Sequence, residues 1–186
     1  YLGDIYERAQ QYEQAVRLYE FAIDVEPTSS IFHYRLGRTY QAQGKDQRAE
    51  SALRQAIERD ARPLYYLALG NLQFENRDYS AAATSYENGL EAGEEYRDRL
   101  LVNLGRARQV AGENAAALEA YGRALDQELS ADLQYRVRVN RGILRRRLDR
   151  PGEAVQEFER ARTLRQTVDL LYNLGPARLD AGNTTG

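Results

Sequence analysis

Five times along the chain a glycine is followed twelve residues later by an alanine, and seven after that by a second small residue. The sets are Gly3, Ala15, Ala22; Gly37, Ala49, Ala56; Gly70, Ala82, Gly89; Gly105, Ala117, Ala124; and Gly142, Ala154, Ala161. Successive leading glycines lie 34, 33, 35 and 37 residues apart, and a sixth, Gly175, follows after 33. Self-similarity at such a period is the mark of a solenoid. The internal distances of 12 and 7 never vary, so each insertion or deletion falls between one set and the next. Each unit is therefore expected to be rigid, with its variation confined to the connector.

A gap of seven returns to nearly the same side of a helix after two turns of 3.6 residues. The two small residues thus share one stripe. Midway along it, at the fourth place after the alanine, stands a bulky residue: Tyr19, Leu53, Tyr86, Tyr121 or Phe158. Small side chains let two helices approach and the large one fills the remaining hole. The segment carrying the glycine also reads as a helix face, with large residues four and one before it, such as Tyr66 and Leu69 or Leu101 and Leu104. Turn signals separate the two segments at 43–46, 76–78, 111–114 and 149–152. Gly44 and Gly112 suit a left-handed helix end. Asp46, Asn114 and Asp149 are expected to cap the following helix, and Pro151 to open one. Each unit is then a helical hairpin, helix A followed by helix B.

These residues resemble the tetratricopeptide repeat family, whose pattern places Leu-Gly, a tyrosine three later, then Ala, Tyr or Phe, Ala and Pro at these intervals. The first unit carries Leu2-Gly3, Tyr6, Ala15, Tyr19, Ala22 and Pro27; the second has Leu36-Gly37, Tyr40, Ala49 and Ala56. The resemblance implies an all-α, right-handed α-solenoid, a superhelix of five hairpins plus one extra helix. The expected array runs through 1–29, 30–62, 63–97, 98–134 and 135–167, with 168–186 supplying a sixth helix A. Gln73, Arg108, Arg145 and Arg178 depart from the pattern where the family has its helix A tyrosine, and unit five has Arg138 and Arg141 at apolar places. Either that helix is rotated, or the arginine stems run along the groove wall.

With 186 residues and a net charge of -2, the chain shows no overall bias toward nucleic acid, and no apolar run approaches a membrane span. Absence of cysteine rules out disulfides and thiolate metal sites. Tyr1 falls partway through a helix A and the chain stops at Gly186 after a sixth helix A, which reads as a fragment of a longer repeat protein.

A second stripe on helix A lies three before, one after and four after the glycine. In the family this stripe lines the concave surface that holds peptides. Here it carries Tyr34, Arg38, Gln41, then Leu67, Asn71, Phe74, then Val102, Arg106, Gln109, then Val139, Ile143, Arg146, with Tyr172 and Leu179 beyond. The resemblance implies a protein partner, an extended or helical peptide with acidic groups and an apolar anchor. Arg38, Arg106 and Arg146 would steer and grip it, while Tyr34, Leu67, Phe74 and Val102 would receive the anchor. Alternatively the arginines pair with carboxylates such as Asp4 or Glu75. The clamp by which some members hold chaperone tails is incomplete: Asn71, Asn103 and Arg136 fill three of its places, but Leu67 and Asn140 fill the other two, and leucine donates nothing.

The run Arg136, Arg138, Arg141, Arg145, Arg146, Arg147 and Arg150 offers a second reading, phosphate or nucleic-acid binding. Only Tyr135 is near to stack on a base, and helical spacing spreads the arginines around the helix. Homotypic assembly through the terminal repeats is a third. No enzymatic motif is present and no cofactor is expected: His33, the single histidine, takes the place of a buried aromatic, and the carboxylates are scattered.

Overall fold

A computed structural model describes residues 2–183, so Tyr1 and Gly186 lie outside the described residues. Among these there are eleven helices and no strand. In chain order they are α1 (Leu2–Arg8), α2 (Tyr12–Val25), α3 (Ser30–Ala42), α4 (Asp46–Arg59), α5 (Pro63–Glu75), α6 (Tyr79–Ala92), α7 (Arg97–Val110), α8 (Asn114–Leu125), α9 (Ala131–Arg147), α10 (Pro151–Leu164) and α11 (Val168–Asn183). Two compact units divide the chain, Tyr1–Leu100 and Leu101–Gly186. The first contains α1–α6 and the opening turn of α7; the second contains the rest of α7 and α8–α11. No described helix is long and apolar enough to cross a membrane.

Each hairpin closes over its leading glycine. A Cβ built on Gly3, Gly70, Gly105 or Gly142 would stand 2.5–2.6 Å from the ring of Tyr19, Tyr86, Tyr121 or Phe158, and one on Gly37 would stand 2.8 Å from Leu53. The bulky residue of helix B thus lies directly on the backbone of helix A, and only glycine leaves room for it. Ala15, Ala49, Ala82, Ala117 and Ala154 are fully buried, as the stripe requires, and so are Ala56, Ala124 and Ala161. In the first unit Tyr19, Leu36, Tyr40, Leu53, Leu69 and Leu72 join one apolar cluster. In the second, Phe158, Leu170 and Leu174 pack with Ala154, Ala161 and Ala177. Full burial of each such leucine or phenylalanine contributes about 1.5–3 kcal/mol.

The turns within the hairpins follow one plan. Seven residues after each leading glycine the backbone is left-handed: Gln10 (φ 57°), Gly44 (70°), Arg77 (64°), Gly112 (85°) and Asp149 (57°). The next residue donates its N–H back five places, as from Lys45 to the Tyr40 carbonyl (2.9 Å) and from Asp78 to that of Gln73 (2.9 Å). This is a Schellman closure of helix A. Its last residue also begins helix B, which corrects the expected caps. Lys45 and Glu113 hold the cap positions of α4 and α8, so Asp46 and Asn114 are already first helical residues; Asp149 is the left-handed residue itself, one before the cap Arg150. Side-chain caps occur where the register supplies an acceptor: Asp78 accepts from the Ala81 N–H at 3.1 Å, and Ser130 from that of Leu133 at 3.3 Å. Pro151 opens α10 as expected.

Candidate functional site

In the first unit α3 and α5 carry six of the stripe residues. Tyr34 stacks on Tyr65 with ring centroids 5.0 Å apart, and the Tyr65 hydroxyl is bonded to Ser30 at 3.1 Å. Tyr65 is fully buried, so Tyr34 rests on a fixed base. The Tyr34 hydroxyl in turn accepts from Arg38 Nη1 at 3.3 Å. Arg38 is exposed and has no carboxylate partner among the described residues. Together with Glu7, Tyr12, Arg35 and Ala42, these two residues line a cleft of about 180 Å³. Tyr12, Glu7 and Arg35 lie off the helix A stripe of this hairpin, which is why spacing alone does not select them. Glu7 and Arg35 are engaged: Thr39 donates to Glu7, and Arg35 pairs with Asp4, which also accepts from Tyr19 at 2.8 Å.

The other stripe residues of this unit divide by depth. Leu67 is only 6% exposed and so is part of the core, which corrects its expected role as an accessible anchor point. Asn71 is half-buried and its Oδ1 accepts from the Tyr86 hydroxyl at 2.9 Å, bracing helix B of its own hairpin. Phe74 remains partly exposed with its ring edge-on to Tyr79 at 5.1 Å. Gln41 donates to Glu75 at 2.7 Å. Glu75 is thus taken by an amide and Asp4 by Arg35, so neither neutralises Arg38.

In the second unit Val102 is 7% exposed, again too deep for the anchor role expected of it. Val139 and Ile143 are half-buried against the Phe158 cluster. Gln109 accepts from Tyr121 at 2.8 Å, and Asn140 donates to the same hydroxyl at 3.1 Å. Burial pushes the Tyr121 hydroxyl up to about 12, against the pull of Asn140. Arg106 is exposed on α7, and Tyr172 and Leu179 stand out from α11 at 79% and 72% exposure. Arg146 is ion-paired with Asp180 at 3.1 Å.

The arginines of α9 are mostly committed within the fold. Arg138, Arg141 and Arg145 converge on Glu157 of α10 at 3.3, 3.4 and 3.2 Å, and Glu157 has no solvent exposure. Arg150 pairs with Glu153 at 2.6 Å. Burial pushes the Arg141 guanidinium below its ordinary value, with Glu157 opposing and the neighbouring arginines adding to the shift. The helix is neither rotated nor lined by free arginine stems: its apolar side remains inward through the fully buried Val137 and Leu144. Of the seven arginines only Arg136 and Arg147 lack a carboxylate partner among the described residues. Arg145 lies three after its glycine and Glu157 three after its alanine. The same two places in α5 and α6 hold Gln73 and Ser85, hydrogen-bonded at 2.6 Å, so both departures from the repeat pattern are matched across the hairpin. Among the described residues no group of three or more His, Asp or Glu side chains is arranged to hold a metal ion.

Sequence models of the tetratricopeptide repeat match residues 7–72 and 102–168. No curated protein matches the chain. Among solved structures, that of MamA superposes with a TM-score of 0.77 at 22% identity, over 88% of this chain and 94% of that one. YrrB, described as a TPR protein with an unusual peptide-binding site, gives 0.75 at 16% identity over 95% of this chain and 88% of that one. The C-terminal part of a TPR repeat-containing protein from Cytophaga hutchinsonii gives 0.79 at 13% identity, covering 99% of this chain and 72% of that one. At these identities the likeness is one of fold.

Proposed function

Because the chain belongs to the tetratricopeptide repeat family, whose fold serves generally as a protein–protein interaction scaffold, we propose that its first unit holds a peptide segment of a partner along α3 and α5. The segment carries a carboxylate for Arg38 and an apolar group for the exposed parts of Tyr34 and Phe74. The scaffold role is non-catalytic. One observation carries the reading: Arg38 is an exposed cation beside a cleft, bonded to a tyrosine that is itself stacked on a buried ring. A guanidinium placed in this way forfeits little side-chain freedom when it meets an acid. Arg146, already paired, contributes little. The peptide-binding site described for YrrB, on a similar fold, is consistent with such a role.

The test is fluorescence anisotropy with labelled peptides in which one Glu and one Leu or Phe are placed at varied spacing. Arg38→Glu is expected to weaken the best of them by more than about tenfold, because a cation becomes a like charge. Equal affinity in a folded Arg38→Glu variant would assign binding elsewhere.

A further inference from the structure

The other side of α5 borders a larger cleft, of about 510 Å³, between α4 and α6. Tyr66, Leu69 and Gln73 reach it from α5, on a stripe distinct from that of Leu67, Asn71 and Phe74. Its width has a cause in the sequence. On α6 the wall is Ala81, Thr84, Ser85 and Asn88, all short, at helical spacing. On α5 the repeat pattern's tyrosine is replaced by Gln73, a thinner side chain.

The floor contains an unmet donor. Gln73 is 5% exposed, and its Oε1 accepts from Ser85 Oγ at 2.6 Å. Its Nε2 has no hydrogen-bond partner among the described residues, and the side chain lines the cleft. The Nε2 atom retains access to solvent, so an acceptor entering the cleft takes its N–H in place of water. The corresponding tyrosine one hairpin earlier, Tyr40, leaves no such vacancy, because its hydroxyl donates to Glu20 at 3.0 Å.

The remaining lining selects the occupant. Ile57, Tyr66 and Leu69 form an apolar wall. The two ionic groups at the rim, Arg54 and Glu58, carry opposite charges, and Arg54 is already bonded to Glu50 at 2.7 Å. Charge complementarity therefore favours an uncharged guest that brings both an apolar side chain and a carbonyl. We propose that this cleft is a second binding site, which takes an uncharged, extended peptide segment whose backbone carbonyl accepts from Gln73 Nε2 while an aliphatic side chain lies on Ile57, Tyr66 and Leu69. The proposal is independent of the Arg38 cleft.

The experiment follows side-chain and backbone amide resonances of the ¹⁵N-labelled full chain during titration with N-acetyl-leucine N-methylamide. Saturable shifts of the Gln73 side-chain amide and of the Thr84 and Ser85 backbone are expected, with a dissociation constant on the order of millimolar for so small a probe. Gln73→Met, which keeps the shape and removes the donor, should weaken binding at least about fivefold. Thr84→Phe plugs the cleft from an exposed position and should abolish it, which keeps the test decisive should Gln73→Met not fold. Three results would each overturn the proposal: no shift at Gln73 and Ser85 up to about fifty times that concentration, unchanged binding in Thr84→Phe, or shifts confined to Tyr34, Asn71 and Phe74. Loss of acidic-peptide binding in Arg38→Glu, or its absence altogether, leaves these readouts untouched.

Discussion

Burial of His33 on α3, 3% exposed with neither ring nitrogen hydrogen-bonded, favours the neutral ring in the folded chain. Burial depresses its pKa, and the Arg59 guanidinium adds to the effect. The sign follows. A histidine that resists protonation when folded leaves the unfolded chain binding more protons below its ordinary value of about 6.5, so stability is complete above that pH and falls below it. The loss is at most about 1.4 kcal/mol per pH unit, and it stops where the folded ring itself protonates. His33→Leu should remove this component. In urea unfolding at pH 7.5 and 5.5, the variant is expected to gain on the parent at the lower pH; an identical difference at both pH values would refute the assignment. Glu157 is buried against three guanidinium groups, those of Arg138, Arg141 and Arg145. Glu157→Gln leaves those cations without their shared anion and should cost about 3–5 kcal/mol, read as a lowered denaturation midpoint.

Hairpin turns test whether register or residue type decides backbone geometry. Arg77 and Gly112 occupy the same left-handed place, seven after the leading glycine. A side chain there strains the backbone by about 1–2 kcal/mol, partly offset by the greater unfolded-state freedom of glycine. Arg77→Gly should therefore stabilise by roughly 0.5–1 kcal/mol and Gly112→Ala destabilise by a similar amount. The space around a Cβ on Gly112 is open, so backbone strain alone is measured. Equal signs in the two unfolding curves would contradict a shared turn. The helices A and B were legible because the packing surface repeats: glycine, alanine and ring recur at fixed distances, and Ala49, Ala82 and Ala117 are buried as that pattern demands. Gln10, Arg77 and Asp149 were not, because nothing in their side chains announces a left-handed backbone; only their distance from the glycine does. Periodicity likewise named the stripe holding Leu67 and Val102 without revealing their depth. The Glu157 cluster stayed hidden because each of its members departs from the repeat pattern and looks misplaced without the others.

Repeat stacking makes stability close to a sum of hairpin terms and nearest-neighbour terms, rather than the property of one central core. The two compact units, each with its own apolar cluster, accord with that scheme. Damage to one hairpin should consequently remain local. Ala82 is fully buried at the seam of α5 and α6, and Ala82→Leu should overpack it by about 1–3 kcal/mol. Native-state hydrogen exchange can follow where that loss appears. The slow amides of α5 and α6 are expected to lose protection by the whole amount, whereas those of α9 and α10 should change by less than about 0.3–0.5 kcal/mol, as for independent sites. Ala117→Leu, at the seam of α7 and α8, should reverse the pattern and spare α3 and α4. The short α1 needs no substitution to show the same principle: with seven residues, and with Leu2 and Ile5 57% and 62% exposed, it has little packing to hold it and should exchange fastest of the described helices. Uniform loss of protection across both units on Ala82→Leu would mean that the chain unfolds as one cooperative body, and the additive description would have to be abandoned.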